Sequence, residues 1–246
     1  MILGRVCTRN CGFCAVETGS QGELLRLDEP ERVAFAAQEL GLRHVVITSV
    51  TRDDLVDEGS GHYARTVRSV KTVVPESKVE VLTPDFHARK DLIGYVLESA
   101  PDVFNHNLET VERLQRHVRP QADYQRSLKT LEIAKCFSSD CVTKSGLILG
   151  LGETEAEVLE AGRHLLSVGV EILTLGQYLR PTPNHLEVKE YIHPRKFEEL
   201  ATRLEAMGFE KVFAGAYVRS SYHARETFLE AKIQPADDSS ETSTSN

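Results

Sequence analysis

The sequence has no tryptophan, no long basic amphipathic stretch, and no apolar run close to the roughly 20 residues of a bilayer-spanning helix. The last of these absences excludes an integral membrane protein. Positive charge is also scarce, because 29 Lys and Arg residues stand against 37 Asp and Glu in 246 residues, for a formal net charge of −8. This balance argues against a non-specific nucleic-acid binder, which needs a positive surface. We therefore expect neither nucleic acid nor membrane as a partner.

The amino terminus lacks the basic region, apolar core and small-residue cleavage site of a secretory signal peptide. Residues 1–6 are short and apolar, which predicts a buried strand leading directly into the next segment. Because the chain opens inside this predicted strand, we expect the natural protein to begin further upstream.

Cysteine is rare but unevenly placed. Of five cysteines, three lie within eight residues, and the full set is Cys7, Cys11, Cys14, Cys136 and Cys141. An odd count in a chain of this length argues against a disulfide framework, so a metal or redox site is the better interpretation.

Strand-like and helix-like patterns alternate along the chain. The strands are predicted at residues 44–48, 78–82, 102–105, 142–149, 170–174 and 211–213, and the helices at 30–40, 63–74, 91–98, 108–115, 124–135, 153–167 and 194–207. Repeated βα units of this length indicate a parallel sheet in an α/β fold. Right-handed crossovers would curl it into a partial (β/α)6 barrel of the TIM type, and a flat doubly wound sheet is the alternative.

The carboxyl-terminal residues 234–246 are polar and acidic, with almost nothing to bury. This composition predicts one folded domain over residues 1–229 and a disordered polar tail over residues 230–246.

The cysteine loop has a spacing of three residues and then two, in Cys7, Cys11 and Cys14. Zinc sites favour two pairs of ligands, and no second close pair follows at that spacing. Three soft thiolates on one loop suit a [4Fe–4S] cluster and leave its fourth iron open to a small molecule, which points to catalysis. A structural metal knuckle or three unrelated buried thiols are the alternatives.

A cysteine loop of this spacing, after a first strand in a βα-repeat chain, resembles that of the radical S-adenosylmethionine (SAM) enzymes. The resemblance implies that the open iron chelates the methionyl amine and carboxylate of SAM. Reductive cleavage of the sulfonium then gives a 5′-deoxyadenosyl radical. The resemblance also implies that Phe13 packs near the adenine.

Further segments resemble the lipoyl synthases, and together the match covers essentially residues 1–229. The matching segments are residues 1–14, 46–55, 81–86, 104–111, 143–154, 173–178 and 218–224. The resemblance implies insertion of two sulfur atoms, at C6 and C8 of an octanoyl chain carried on a lysine of a carrier protein. Because these C–H bonds have no useful acidity, no side-chain base could remove the proton, and a cofactor-borne radical is required.

The resemblance assigns cofactor contacts to residues at strand ends, where βα barrels hold ligands. Thr48 and Ser49 would hold the methionyl end of SAM, unless they only cap a helix or form a turn. Asn105, Asn107 and Glu109 would hold ribose hydroxyls or the methionyl amine, although Asn107 could simply cap the next helix.

Two other segments are ambiguous. Gly150 lies in a glycine-rich stretch that resembles the family's adenine-contacting backbone. A phosphate loop is a weak alternative, because no Lys-Ser/Thr follows the last glycine. Lys144, a candidate cofactor contact, and Arg119 could pair with carboxylates, or each could form an ordinary structural ion pair. Residues 52–54 suggest a divalent-metal site or a solvated loop, and the histidines form no spaced cluster.

The segment Arg219–Tyr222 would be an ordinary loop by composition. The resemblance implies that Ser221 ligates a second, auxiliary [4Fe–4S] cluster, the donor of the inserted sulfur. The other three ligands of that cluster come from a cysteine motif before the first strand, which this sequence lacks. Two clusters are expected in a full-length enzyme and one on this chain. The alternatives are a chain that cleaves SAM without inserting sulfur, a non-catalytic paralogue that docks the carrier, and a one-cluster radical enzyme with another substrate.

The resemblance also implies partners. These are an octanoylated lipoyl-carrier domain or glycine cleavage H protein, an electron donor such as ferredoxin or flavodoxin, and iron–sulfur assembly proteins. The expected compartment is the cytoplasm in a prokaryote, and the mitochondrion or plastid in a eukaryote.

Overall fold

A six-stranded parallel sheet organises the chain in the computed structural model, which describes residues 1–138 and 140–221. Two short strands, β1 (Val6–Cys7) and β2 (Glu17–Thr18), pair with each other across the cysteine loop. The main sheet has six strands in the order β3 to β8: His44–Thr48, Lys78–Leu82, Val103–Asn105, Val142–Leu149, Ile172–Gln177 and Lys211–Gly215.

Helices connect these strands. They are α1 to α7, at Glu29–Glu39, Ser60–Val73, Lys90–Leu97, Gln115–Val118, Tyr124–Phe137, Glu155–Ser167 and Pro194–Glu205, with short 3₁₀ turns at Phe86–Ala88 and Glu112–Leu114. Local sequence explains several helix starts. Pro30 lies in the first turn of α1, and Thr154 forms a capping box with Glu157 at α6.

The order of the strands decides between the two predicted architectures. Every neighbouring pair in the main sheet is consecutive in sequence and parallel. A doubly wound sheet would reverse its order at a switch point, whereas consecutive right-handed crossovers place every helix on one face and curl the sheet. The structure therefore confirms the partial six-stranded barrel. Its carboxyl-terminal strand ends converge on one rim.

The core lies between the strands and the surrounding helices. One buried group, around Leu147, Leu173 and Leu204, joins β6–β8 to α5–α7. A second group, around Val45, Tyr63 and Val81, joins β3–β5 to α1–α3. Both groups use residues that alternate along strands or recur at helical spacing, so the core follows from the sequence pattern.

The predicted strand over residues 1–6 is wrong. Ile2 makes a single parallel bridge with Ser49 and donates its amide to the Thr48 carbonyl. The chain then turns through Leu3 and Gly4, which have φ values of 70° and 91°. Ile2 and Leu3 are nonetheless buried, whereas Met1 and Arg5 are exposed, so the predicted burial holds for only part of this segment.

The predicted helix over residues 108–115 begins too early. Helical structure starts at Glu112 and continues to Val118. Glu109 instead bridges Leu147, donates its amide to the Gly146 carbonyl and accepts from the Ile148 amide. Pairing with β6 thus overrides local helix propensity and carries Glu109 to the rim of the barrel.

Two further expectations from the sequence concern the carboxyl-terminal tail and a membrane span. The predicted tail over residues 230–246 lies beyond the described residues. Within residues 1–138 and 140–221, no helix combines the length and the apolar character needed to cross a membrane.

Candidate functional site

The three clustered cysteines lie on a loop bounded by β1 and β2. Their thiols are free and partly buried. Backbone amides hold this loop in shape, because Cys14 donates to the Cys11 carbonyl and both Arg9 and Thr51 donate to the Cys7 sulfur, at 3.4 and 3.3 Å. Burial raises the pKa of the Cys11 and Cys14 thiols. The loop therefore presents three sulfur donors from a fixed backbone.

Arg9 anchors this loop to the barrel. Its guanidinium is 4% exposed and donates to both carboxylate oxygens of Asp85, at 2.8 and 2.7 Å. It also donates twice to Asp53, at 2.9 Å each. Arg126 adds a third cationic contact to Asp85, which is fully buried. These charges hold the pKa of the Asp85 carboxyl well below its ordinary value although burial opposes the shift. No sequence pattern indicated this network.

A cavity of about 430 Å³ lies under the cysteine loop at the carboxyl ends of the strands. Its lining includes six of the residues singled out from the sequence, namely Phe13, Cys14, Thr48, Asn107, Glu109 and Ser221. Apolar side chains of Val46, Leu82 and Leu147 complete the wall. The structure therefore brings the amino-terminal cysteine loop and the carboxyl-terminal serine motif to one cavity.

Asn107 and Glu109 form the polar centre of this cavity. The Asn107 amide nitrogen donates to Glu109 at 3.1 Å and to the Ser220 hydroxyl at 2.5 Å. Its Oδ1 is buried and has no hydrogen-bond partner among the described residues. Burial raises the pKa of the Glu109 carboxyl, opposed by the charge of Arg119 and by the Asn107 hydrogen bond. Asn107 thus offers an acceptor, and Glu109 a carboxylate, to a bound molecule.

Arg119 supports the same region from behind. It is 8% exposed and donates to the carbonyl oxygens of Asn107 and Leu108, at 3.1 and 3.2 Å. Its charge and hydrogen bond also lower the pKa of Cys11, against the larger effect of burial. The residue therefore fixes the backbone of the Asn107–Glu109 turn beside a cysteine.

Four other predicted cofactor contacts lie away from the cavity wall. Ser49 donates to the Val50 carbonyl and lies 2.9 Å from the Tyr63 hydroxyl. Asn105 donates to Glu80, which is also paired with the fully buried Lys144. Gly150, with φ +99°, accepts from the Lys189 amide and leaves no room for a side chain beside Gln177. Their assignment to the cofactor stays a prediction.

A segment over residues 178–192 covers the cysteine loop from outside. His185 contacts the Cys14 carbonyl oxygen through Nε2 at 3.0 Å, and the Leu186 amide donates to the Gly12 carbonyl at 3.0 Å. The Tyr178 hydroxyl donates to the Leu186 carbonyl at 2.8 Å. Sequence analysis assigned no role to His185, since its only partner in the loop lies 171 residues away.

Both carboxylates of the charged residues 52–54 are engaged by arginines and are not free to bind a metal ion alone. Asp54 is paired with Arg52, and Asp53 with Arg9. Asp53, Glu58 and His87 do bring ligand atoms within 4.8 Å of one another, so the histidines are less isolated than the sequence indicated. Because both carboxylates of residues 52–54 are paired with arginines, this segment is a loop held by ion pairs.

The donor set fits an iron–sulfur cluster with a small polar ligand beside it. Free thiols are the ligands that iron–sulfur clusters use. Asn107 lines the same cavity, and its buried Oδ1 has no hydrogen-bond partner among the described residues. Gly146 keeps that space open, because a Cβ there would lie 2.6 Å from Thr174 Oγ1 and 3.0 Å from Asn107 Oδ1.

Gly146→Ala is therefore expected to weaken SAM binding by about tenfold or more, since overpacking of this kind costs roughly 1–3 kcal/mol. Isothermal titration of the reconstituted chain with SAM measures the effect. Gly215→Ala is the matched control, because its Cβ would meet Val218 at an ordinary 3.4 Å. Equal affinities in both variants would contradict the cradle assigned to Gly146.

His106, beneath the cavity, gives a pH-dependent prediction. It is buried and contacts the Thr83 carbonyl through Nδ1 at 2.9 Å. Burial, with the charge of Arg119, lowers its pKa to about 4 from 6.5. His106 therefore takes up a proton near pH 6.5 in the unfolded chain but only near pH 4 in the folded chain. The free energy of unfolding consequently falls as the pH falls from 6.5 to 4.

We expect this single group to remove about 3 kcal/mol of unfolding free energy between pH 6.5 and 4. Urea unfolding of the chain and of His106→Asn, at both pH values, measures it, because Asn retains a donor for Thr83. Identical pH slopes would show that His106 titrates alike in both states.

The amino-acid sequence of the chain is similar to the sequences of known proteins. Residues 1–165 match the family model of the radical SAM superfamily. The chain is 53% identical over 232 residues to the lipoyl synthase of Rubrobacter xylanophilus, covering 94% of this chain and 72% of that protein. The lipoyl synthase of Thermus thermophilus gives the same identity and coverage.

A solved structure confirms the fold at much lower identity. Streptococcus suis SuiB, in a structure bound to S-adenosylmethionine, is similar with a TM-score of 0.68 at 12% identity. The match covers 89% of this chain and 50% of SuiB. At this identity the likeness concerns the barrel alone.

Proposed function

The chain belongs to the radical SAM superfamily and, within it, to the lipoyl synthases, and from this premise we propose that it inserts sulfur at C6 and C8 of a protein-bound octanoyl group. It is an enzyme of the lipoyl synthase type. Family membership implies a [4Fe–4S] cluster, SAM, a lipoyl-carrier substrate and an electron donor.

One observation carries the proposal. Cys14 of the cysteine loop and Ser221 of the carboxyl-terminal motif line the same cavity, although 207 positions separate them in sequence. A radical enzyme that also delivers sulfur needs its hydrogen-abstracting centre and its sulfur source within reach of one substrate chain. The presence of Cys14 and Ser221 on the wall of one cavity is consistent with this requirement and supports the proposal.

Cys7, Cys11 and Cys14 would hold the cluster. When bound, the cluster and SAM supply the carbon-centred radical chemistry that unactivated C–H bonds require. The chain's own contribution is placement. Arg9 fixes the loop, and Phe13 adds an aromatic face to the cavity wall.

Asn107 and Glu109 would orient SAM. The free Asn107 Oδ1 can accept a hydrogen bond from a ribose hydroxyl or an amine, and Glu109 is a carboxylate partner for the methionyl ammonium. Thr48 adds a hydroxyl to the same wall. Apolar Val46, Leu82 and Leu147 provide a water-poor surface suited to an octanoyl chain.

The source of sulfur is the second part of the proposal. Ser221 is exposed to the cavity and would ligate the auxiliary cluster. Cys136, exposed on α5, and Cys141, buried before β6, do not line this cavity. Among the described residues, the cysteine that lines this cavity is Cys14 of the cysteine loop. This observation favours a second candidate function: one cluster, SAM cleavage and no sulfur insertion.

The partners of the proposed reaction are an octanoylated carrier domain or glycine cleavage H protein and a ferredoxin or flavodoxin. Iron–sulfur assembly proteins would load the cluster.

Anaerobic turnover with an octanoylated carrier domain tests both candidates. The reconstituted chain is reduced with dithionite, and 5′-deoxyadenosine and lipoyl product are quantified together by mass spectrometry. Ser221→Ala should keep 5′-deoxyadenosine formation and lose sulfur insertion, while Ser167→Ala, at an exposed helix end, should change neither.

The outcomes separate the candidates. Lipoyl product from the unmodified chain, lost on Ser221→Ala, supports sulfur insertion. 5′-Deoxyadenosine without lipoyl product supports the second candidate. Failure to bind iron or cleave SAM would contradict both and favour the carrier-docking paralogue.

A further inference from the structure

The cavity wall opposite the cysteine loop is formed by a short stretch, Val218–Ser221, which we term the serine segment. Val218 is buried, whereas Arg219 and Ser221 are exposed. The segment lies directly on β7, because a Cβ on Gly176 would fall 2.2 Å from the Val218 carbonyl oxygen. Such close backbone contact requires glycine at that position.

Lys144 reaches this segment from inside the barrel. Its side chain has no exposed surface, and its Nζ lies 2.9 and 3.2 Å from the two carboxylate oxygens of Glu80. The same Nζ also donates to the Ser220 carbonyl oxygen, 2.6 Å away. Glu80 also accepts from Asn105, so its position is fixed independently.

Asn107 holds the same serine by its side chain. The amide of Asn107 donates to the Ser220 hydroxyl at 2.5 Å while also bonding Glu109. Ser220 is thereby bonded at both its carbonyl and its hydroxyl, and the neighbouring Ser221 remains open to the cavity. The two serines have different surroundings, which the sequence could not distinguish.

We propose that Lys144 is a positioning residue whose buried bond to Ser220 fixes the serine segment, so that Ser221 is presented to the cavity and Asn107 ties this segment to the SAM-binding wall. The inference rests on the proposed function for the role of Ser221 as a cluster ligand. The positioning itself concerns only residues of this chain.

The physical basis is a charge-assisted hydrogen bond from a buried ammonium group. Bonds from charged donors are about twice as strong as neutral ones. Lys144 also cannot move away from Ser220 while Glu80 holds its ammonium group. Loss of this bond should therefore open the serine segment locally without opening the barrel.

Limited proteolysis provides the test. Trypsin cleaves after Arg219, inside the serine segment, and mass spectrometry identifies this cut among the others. Lys144→Met alone leaves the buried Glu80 carboxylate without its ammonium partner, so Lys144→Met/Glu80→Gln is the principal variant. Ser220→Ala, which removes only the Asn107 bond, is the second. Leu131→Ala, a fully buried core position away from the cavity, is the destabilised control.

Cleavage after Arg219 should rise at least about tenfold in the double variant, a factor equal to about 1.4 kcal/mol. A smaller rise is expected in Ser220→Ala. Rates are compared at matched unfolding free energy, so Leu131→Ala reports what general destabilisation contributes. An equal rise in Leu131→Ala, or none in the double variant, would overturn the proposal.

A turnover measurement separates this inference from the proposed function. In a chain that inserts sulfur, the double variant should form several times more 5′-deoxyadenosine per lipoyl group, because the cysteine loop and Asn107 are unchanged while the serine is misplaced. A chain that cleaves SAM without inserting sulfur, yet shows the tryptic increase, contradicts the proposed function and supports the positioning role.

Discussion

A Cys11→Ser variant, reconstituted with iron and sulfide under anaerobic conditions, is expected to retain little iron and to lose SAM cleavage by more than about a thousandfold, or about 4 kcal/mol. The physical reason is the ligand. A serine hydroxyl is a harder donor than a thiolate and is not ionised at neutral pH, so it replaces a sulfur ligand poorly. Cys11 is also one of only three thiols on the loop, and none of the other cysteines can take its place.

Iron and sulfide content, together with 5′-deoxyadenosine formation, measure this effect. Cys136→Ser is the matched control because Cys136 is a free, exposed cysteine on α5, away from the cavity. About four irons per chain are expected in the control and far fewer in Cys11→Ser. Equal iron content and SAM cleavage in the two variants would exclude the 7–11–14 loop as the cluster site.

Arg9→Met should produce the second largest effect. The substitution leaves Asp85 fully buried and in contact with only one cation, Arg126. Breaking a buried ion pair by removing one partner costs about 3–5 kcal/mol of unfolding free energy. Because Arg9 lies between Cys7 and Cys11, the loop should also lose its orientation, and cluster loading should fall with stability.

Chemical unfolding of the apo chain gives the stability, and iron content after reconstitution gives the loading. Arg5→Met is the control, since Arg5 forms an exposed pair with Glu23 on the same side of the cysteine loop and should change neither quantity appreciably. A second variant, Arg9→Met/Asp85→Asn, should recover part of the stability without restoring the loop. Loss of less than about 1 kcal/mol in Arg9→Met would contradict the anchoring role.

The main strands were predictable because their information is local. Strands β3, β4 and β6 have the predicted bounds, at His44–Thr48, Lys78–Leu82 and Val142–Leu149. Each is rich in β-branched or apolar residues, although charged Glu80 and Lys144 lie buried within β4 and β6. The cysteine spacing was equally local, since three ligands of one group can lie on one loop. Neither the strand bounds nor the cysteine spacing depends on contacts between residues that are distant in sequence.

The errors arose where tertiary contacts override local preference. Residues 108–111 were predicted as helix, but Glu109 pairs with β6 at a φ of +67°. The surroundings of Lys144 were likewise not predicted, because it lies fully buried between Glu80 and the Ser220 carbonyl oxygen, while its assignment to the cofactor stays a prediction. No helical or strand periodicity records either contact, because periodicity reports which face of an element is buried and not what it meets there.

The sequence by itself determined the repeating βα order, the buried faces and the three thiols on one loop. The tertiary structure alone decided that Arg9 is paired with Asp85, 76 positions away, and that Ser221 shares a cavity with Cys14. The physical reason is that hydrophobic burial depends on each residue's own chemistry and spacing. An ion pair or a shared cavity depends on how the barrel closes and which strand ends then meet at its rim.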